Sequence, residues 1–472
     1  MVSTKNFIAA IELGSSKLTG IAGRKNDDGS ISVLAYAKKE SASFIRRGVV
    51  FNVNKAAHAL TSVIKELEDS VDGMIAKVYV GIGGQSMHGV MNRISRSMEE
   101  TTIISQELVD AIRDENFALP YVDMEIFDAA PQEYKIGSNY QADPVGVAGN
   151  HIEGSFLNLV ARSLLKNNLE HSFTSAKLPI ADTLIAPLVT ADITLTDKEK
   201  NAGCALIDFG ADTITTSIYK GDILRYLTVI PLGSSSITRD ITSLKIDDQE
   251  AEMLKLKYGN AIPEEKEKEK EEEEETKISL EDGREISLSL LNEIIEARTE
   301  ELVDNMLNQI FLSGFEENLQ AGIILTGGGA NLKNIDELIR RKSKGRKVRI
   351  AKGINVEVNA PSGVVLKDCA HNTLLGLVAA GKENCCAPKP VVAEPQPQAI
   401  PAHIFDGDED LNAKKAEIEA AKRKEEEDRK RRKKEEKETK KKKSNWFTDM
   451  KKGLGGLSEK LSDSIFNDDD MQ

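Results

Sequence analysis

A chain of 472 residues with 40% apolar content is long enough to bury several cores, so two to four domains or subdomains are expected. Its formal net charge of −14 argues against nucleic acid as a partner. The charge is uneven: residues 413–443 hold 16 Lys or Arg against 9 Asp or Glu, so the rest of the chain carries about −21. Cys204, Cys369, Cys385 and Cys386 form neither a disulfide framework nor a metal-ligand spacing, which fits a reducing cytosol. There is no charged leader followed by a cleavable apolar segment and no run of about 20 apolar residues, so the chain is expected to be made and kept in the cytoplasm.

The first element is a hairpin, with apolar runs at 7–13 and 18–22 joined by Gly14, Ser15, Ser16 and Lys17. Glycine lets the turn backbone approach an anion, the serines offer hydroxyls and Lys17 offers charge, so the tip is equipped for phosphate. Taken alone it is equally an ordinary surface hairpin, being neither a Walker loop nor a Gly-x-Gly-x-x-Gly fingerprint. Residues 30–38 read as a third strand and 54–69 as a helix capped by Asn54. Residues 77–84 return as a strand ending in glycines. From 85 to about 164 strand-like runs such as 125–129 flank a helix near 106–116, the pattern of an inserted subdomain. Residues 151–160 and 176–179 rebuild the first core, and 182–189 read as a connecting helix.

The hairpin idea then recurs at 205–219, where a buried strand runs through Asp208 into Gly210, Ala211, Asp212 and Thr213 before a returning strand. Two such hairpins suggest two similar halves closing on one triphosphate, with Glu12 and Asp208 facing each other across a hydrated metal. Residues 249–258 form a helix with Glu252 and Lys255 on one face. The run 263–275, nine Glu and three Lys after Pro263, reads as a solvated loop. A long helix is expected over 279–315, with Arg284 and Arg298 beside and within it. At 323–332 a strand opens through Gly327, Gly328 and Gly329, followed by Asn331, into a helix, where bare backbone admits adenosine and its phosphates. Residues 346–358 supply strands and 369–381 a helix of small residues. Beyond a Pro, Ala and Gln linker at 388–401, residues 413–443 lack an apolar face. Finally Trp446, Phe447, Met450, Leu454, Leu457, Leu461 and Ile465 make one apolar stripe flanked by Lys451 and Lys452. A basic run before such a helix suits reversible binding to an anionic membrane surface, with a coiled coil or partner helix as the alternative.

These motifs, with Pro131-Gln132-Glu133-Tyr134, Asp143-Pro144-Val145-Gly146-Val147-Ala148-Gly149 and Leu325-Thr326-Gly327-Gly328, resemble the actin, sugar kinase and Hsp70 ATPase superfamily, and within it the FtsA cell-division family. The resemblance runs over roughly residues 5–385 and resumes at the C-terminus. It implies an α/β fold, the actin-like ATPase fold of two related halves with an inserted subdomain, plus a flexible C-terminal linker and amphipathic helix. The implied parts are subdomain IA at 1–85, 164–200 and 366–388, and an inserted IC at 86–163. IIA follows at 201–235 and 321–365, IIB at 236–320, a linker at 389–443 and a membrane-targeting helix at 444–472.

The resemblance further implies ATP with Mg2+. Phosphates would lie on 14–17 and 210–213, the nucleoside on Gly327, Gly328, Gly329 and Asn331 with Glu252 and Lys255, and the metal on Glu12 and Asp208 largely through water. Arg284 and Arg298 match basic positions that engage the C-terminal peptide of the tubulin-like protein FtsZ, the rival account being a salt-bridged surface. The insertion would mediate self-association into filaments and contacts with other division proteins, or else be decoration. The implied function is to tether FtsZ filaments to the cytoplasmic face of the inner membrane at the division site and to recruit later division proteins. The alternatives are a soluble small-molecule kinase of the same superfamily and a pilus-assembly-type adaptor. One departure stands out. The second phosphate turn usually reads Asp-x-Gly-Gly-Gly-Thr-x-Asp, whereas here two glycines and the last acid are replaced and Asp212 brings negative charge near phosphate. Hydrolysis is therefore expected to be weak or absent, and no catalytic residue stands out.

Overall fold

Strands Ile8–Leu13 and Lys17–Lys25 pair antiparallel, from Ile8↔Gly23 to Leu13↔Leu18. They form the centre of a six-stranded sheet, described here from a computed structural model covering residues 6–71, 73–262, 276–352, 354–361 and 368–387. The acidic run 263–275, the segment 389–443 and the apolar stripe of 444–472 lie outside the described residues. Ile31–Glu40 pairs antiparallel with Lys17–Lys25, while Val78–Ile82 runs parallel to Ile8–Leu13 and Ile180–Ile185 parallel to Val78–Ile82. Both faces are covered. Gly20 lies against Val63 and Leu67 of the Val53–Val71 helix, and Gly23, on the opposite face by the two-residue period of a strand, against Val378 of the Asn372–Ala380 helix. Double cover explains why all five residues of Val78–Ile82 are buried and apolar or glycine.

The second sheet repeats this plan. Cys204–Phe209 pairs antiparallel with Ile214–Lys220 and parallel with Gly322–Thr326, Ile223–Ile230 continues the antiparallel side, and Val348–Ile350 the parallel one. The sheet then extends through the insertion, His88–Ile103, Ala148–Arg162, Met124–Ile136 and Asn139–Gln141, joined to Ile223–Ile230 by the pair Thr228↔His88. Gln132 fastens this joint by donating from Nε2 to Leu224 O at 2.8 Å. The insertion has a small core of its own around Ile112, Tyr134, Ile152 and Phe156 beneath the Gln106–Phe117 helix. The Ala148–Arg162 strand serves two cores, since Leu157, Leu159 and Ala161 belong to the first half's core.

Several expected boundaries shift for local reasons. The first helix spans Val53–Val71, and Asn52 rather than Asn54 precedes it, its Oδ1 accepting from Lys55 N at 3.0 Å. Residues 180–185, expected to begin a connecting helix at 182, are drawn into the sheet beside Val78–Ile82. The helix is Ala186–Thr194, with Pro187 in its first turn, where its missing N–H costs nothing. The long helix spans Leu288–Leu312 because Lys277–Ser279 and Glu285–Ser287 form a small hairpin, after which Ser287 caps the helix at Leu290 N. The three glycines lead into a 3-10 turn, Gly328–Asn331, with the helix Ile335–Lys342 only afterwards. Val358–Asn359 crosses back to the first sheet, parallel to Ile31–Glu40. The helices Ala186–Thr194 and Asn372–Ala380 cross so closely that a Cβ on Gly376 would lie 2.5 Å from Val189 O, and Thr190 and Thr373 share a buried hydroxyl bond of 2.8 Å.

Candidate functional site

The two hairpin tips are built alike. At the first, Gly14 closes the turn where a Cβ would meet Lys17 O at 2.7 Å. Ser41 braces it from behind, donating from N to Ser16 O at 3.1 Å and from Oγ to Gly14 O at 2.6 Å. At the second, Gly210 N donates to Thr213 O at 2.9 Å, while Ser234 N and Ser235 N donate to Gly210 O and Ala211 O at 3.0 and 2.8 Å. Outer loops thus take up the carbonyls. The amides of Ser15, Ser16, Ala211 and Asp212 donate to nothing among the described residues, which leaves N–H groups available to an anion in both turns.

The glycine turn is set against the second tip. Gly327 has φ +85° and a Cβ there would lie 2.3 Å from Asp208 Oδ1; a Cβ on Gly329 would lie 2.6 Å from Phe209 Cγ. These two glycines are required by packing on the 204–209 strand, whereas Gly328 has open space apart from Ala370 Cβ at 3.9 Å.

Glu12, residues 14–17, Asp208, residues 210–213, Glu252, Lys255, residues 327–329 and Asn331 all line one cleft of about 1660 Å³. That exceeds the roughly 300–1,000 Å³ usual for one small ligand, leaving room for a nucleotide and hydrated metal. On the Asp248–Tyr258 helix, Lys255 is buried and donates to Glu252 Oε2 at 2.7 Å, Thr238 Oγ1 at 2.9 Å and Ser234 O at 3.3 Å. Thr238 Oγ1 in turn donates to Glu252 Oε2 at 2.5 Å. Burial pulls the Lys255 ammonium below its usual range, against the opposing pull of Glu252.

Glu12 and Asp208 sit at the floor of the cleft. Burial, reinforced by the charge of Asp208 and opposed by a 3.5 Å bond from Thr19 Oγ1, pushes Glu12 up to about 8. Burial pushes Asp208 up to about 6. A divalent cation would reverse both shifts, so this carboxylate pair suits one. No group of three or more His, Cys, Asp or Glu is placed to hold a metal among the described residues, so phosphate oxygens and water would complete its shell.

Sequence reasoning missed several lining residues. Tyr258, Asn260 and Lys333 form a further wall, with Asn334 Nδ2 donating to Asn260 Oδ1 at 2.9 Å. Asp368 and His371 also line the cleft. His371 Nδ1 contacts Asp368 Oδ1 at 2.5 Å and its Nε2 contacts Tyr36 OH at 3.0 Å. Burial is the largest influence on Asp368 and raises it, but the bond and charge of His371, the amide of Ala370 and the charge of Lys17 together outweigh it and leave the carboxyl lowered. Arg46 enters the cleft from the Ile45–Arg46 strand. A polar residue beside a glycine or at a helix start was the available signal, too common to be decisive.

Arg284 and Arg298 stand apart from the cleft lining, and both brace the segment 235–245. Arg298 grips Asp240 with two nitrogens, at 2.5 and 3.2 Å, and Glu301 with the third at 2.6 Å. Arg284 donates to Leu244 O at 3.1 Å, Lys245 O at 2.8 Å and Asp282 Oδ2 at 2.5 Å. An acidic peptide would have to share these cations with internal partners. Trp446, Phe447, Met450, Lys451, Lys452, Leu454, Leu457, Leu461 and Ile465 lie outside the described residues, and among those described no helix is long and apolar enough to cross a membrane.

Two topologically matching halves around one cleft define an actin-like ATPase fold. A solved PilM-PilN type IV pilus biogenesis complex shares it, with TM-score 0.54 and 16% identity, covering 79% of this chain and 97% of that one. A family model described as Cell division protein FtsA matches residues 205–367. The Cell division protein FtsA of Porphyromonas gingivalis is 30% identical over 338 residues, covering 71% of this chain and 70% of that protein. The one from Neisseria meningitidis serogroup B is 26% identical over 344 residues, covering 72% and 83%. The chain belongs to the FtsA family of cell-division proteins.

Proposed function

We propose that this chain binds ATP with Mg2+ in the cleft and uses the bound state to set its assembly on the cytoplasmic face of the inner membrane at the division site. There it tethers FtsZ filaments, self-associates and recruits later division proteins through the insertion. The observation that carries the reading is the convergence of two turns with unpartnered amides and one glycine turn on a single cleft, in a member of a cell-division family. Ser15, Ser16 and Lys17 would hold one side of the phosphates and residues 211–213 the other, with the nucleoside beside Glu252, Lys255 and Gly328. The cation, held by Glu12 and Asp208, would neutralise phosphate charge. Closing both halves on one ligand makes nucleotide state a bias on their relative angle.

Anchoring rests on the apolar stripe from Trp446 to Ile465 and the basic residues before it. Trp446 is the single tryptophan, so its emission reads insertion directly. Calorimetric titration of Mg-ATP into the full chain tests the cleft, and Trp446 emission with anionic and then neutral vesicles tests the anchor. Heat of binding lost in Lys17→Ala, with a blue shift specific to anionic vesicles, is the expected result. No heat in the native chain overturns the nucleotide reading, and no shift overturns the anchor.

A further inference from the structure

A short hairpin, Ile45–Arg46 with Val49–Val50, reaches over the phosphate end of the cleft. Its two-residue tip has positive φ at both positions, Arg47 at +53° and Gly48 at +75°. Such tips normally use Asn, Asp or Gly at both positions, so arginine at the first is held there by its surroundings. Gly48 is required by crowding, since a Cβ would lie 2.6 Å from Gly84 Cα. Gln85 N fixes the same turn by donating to Arg47 O at 2.9 Å.

This turn aims two consecutive amides at the two phosphate turns. Gly48 N donates to Ser15 Oγ at 2.9 Å, and Arg47 N donates to Asp212 Oδ2 at 3.3 Å. Successive amides presented from a turn form an anion-binding concavity. Here the anion is internal: the Asp212 carboxylate, from the second half, is bonded to a backbone amide of the first. A terminal phosphate gripped by both turns has to lie between Ser15 and Asp212, where that carboxylate reaches.

We propose that Asp212 is a built-in stand-in for the terminal phosphate of the nucleotide. The Asp212 carboxylate accordingly lowers affinity for a triphosphate relative to a diphosphate: ADP leaves the Asp212–Arg47 clasp shut, and ATP binds by displacing it. Two anions cannot share the space without repulsion, and in a partly buried site that repulsion is poorly screened. The inference rests on nucleotide binding as proposed above and adds which phosphate state Asp212 disfavours.

The test is calorimetric titration of Mg-ADP and Mg-ATP into the full chain as the native protein, D212N and D212G, with circular dichroism confirming that each is folded. Removing the carboxylate should raise the ratio of ATP affinity to ADP affinity roughly tenfold or more. D212N, which keeps an acceptor without the charge, should fall between. Without nucleotide, amide exchange across residues 45–50 should quicken in D212G. Equal shifts for both nucleotides, a fall in the ATP-to-ADP affinity ratio in D212G, or unchanged exchange would each overturn the clasp while leaving nucleotide binding intact. Binding of neither nucleotide to any form would overturn both readings.

Discussion

The buried acid pair makes the stability of the nucleotide-free chain depend on pH in an unusual direction. Glu12 is raised from 4.5 to about 8, so from pH 4.5 to 8 the folded chain keeps a proton that the unfolded chain has released. A group raised in this way contributes stability at low pH that is lost as pH climbs towards its folded value, by about 1.4 kcal/mol per pH unit in mid-range. Between pH 6 and 8 the loss from Glu12 comes to about 2 kcal/mol, levelling off near pH 8. Asp208, raised from 3.8 to about 6, loses most of its share below pH 6 and adds little in this window. The assay is thermal unfolding of the full chain at pH 6, 7 and 8, for the native protein and Glu12→Gln. The native Tm should fall a few degrees more than that of Glu12→Gln, whose amide does not titrate. Adding Mg2+ should stabilise the native chain most at pH 8, because the cation binds the ionised pair. Identical pH profiles for native protein and Glu12→Gln would refute the reasoning.

Three further outcomes follow from the packing and charges. Lys17→Ala should weaken Mg-ATP at least tenfold by titration calorimetry without lowering Tm, because the side chain has no partner in the core. Gly376→Ala should cost roughly 1–3 kcal/mol in thermal or urea unfolding, since its Cβ would lie 2.5 Å from Val189 O at the crossing of two buried helices. Arg298→Ala should cost about 1 kcal/mol through loss of the paired bonds to Asp240. In fluorescence anisotropy with an FtsZ C-terminal peptide it should weaken binding tenfold or more; unchanged peptide affinity would leave Arg298 as a brace alone.

The hairpins at 7–22 and 205–219 were legible because a continuous apolar run, an acid near the strand end and a short polar turn all lie within a few consecutive residues. The facing of the two tips was expected from recognising one motif twice, whereas residues 327–329 entered as a third, separate glycine turn. Other features depend on partners distant in sequence. The strand character of 180–185 comes from pairing with 78–82, and Asp182 gave no local sign of it. Asp282-Gly283, between the short runs 277–279 and 285–287, is by contrast a local hairpin signal that reading one helix over 279–315 passed over, and the hairpin delays the long helix to 288. The glycines at 327 and 329 were legible as open backbone, yet the reason that they must be glycine, contact with Asp208 and Phe209, is tertiary. Asp212 could be recognised as a departure from pattern, but its acceptor role towards Arg47, 165 residues earlier, could not.

The way the first sheet is gathered has a consequence for synthesis on the ribosome. Its inner hairpin is translated at once, but its neighbours arrive at 78–82, 180–185 and finally 358–359. Phe7 O waits for Cys385 N at 2.9 Å, and Tyr79 OH for the amides of Lys382 and Glu383 at 2.9 and 2.8 Å. The N-terminal half therefore cannot complete its hydrogen bonding until nearly 390 residues have emerged, although it is the first to be made. The insertion, contiguous from 88 to 162, can fold long before the sheet that carries it. Pairings of such separation are slow and leave strand edges exposed meanwhile, so nascent chains truncated before residue 380 should be the ones that chaperones hold.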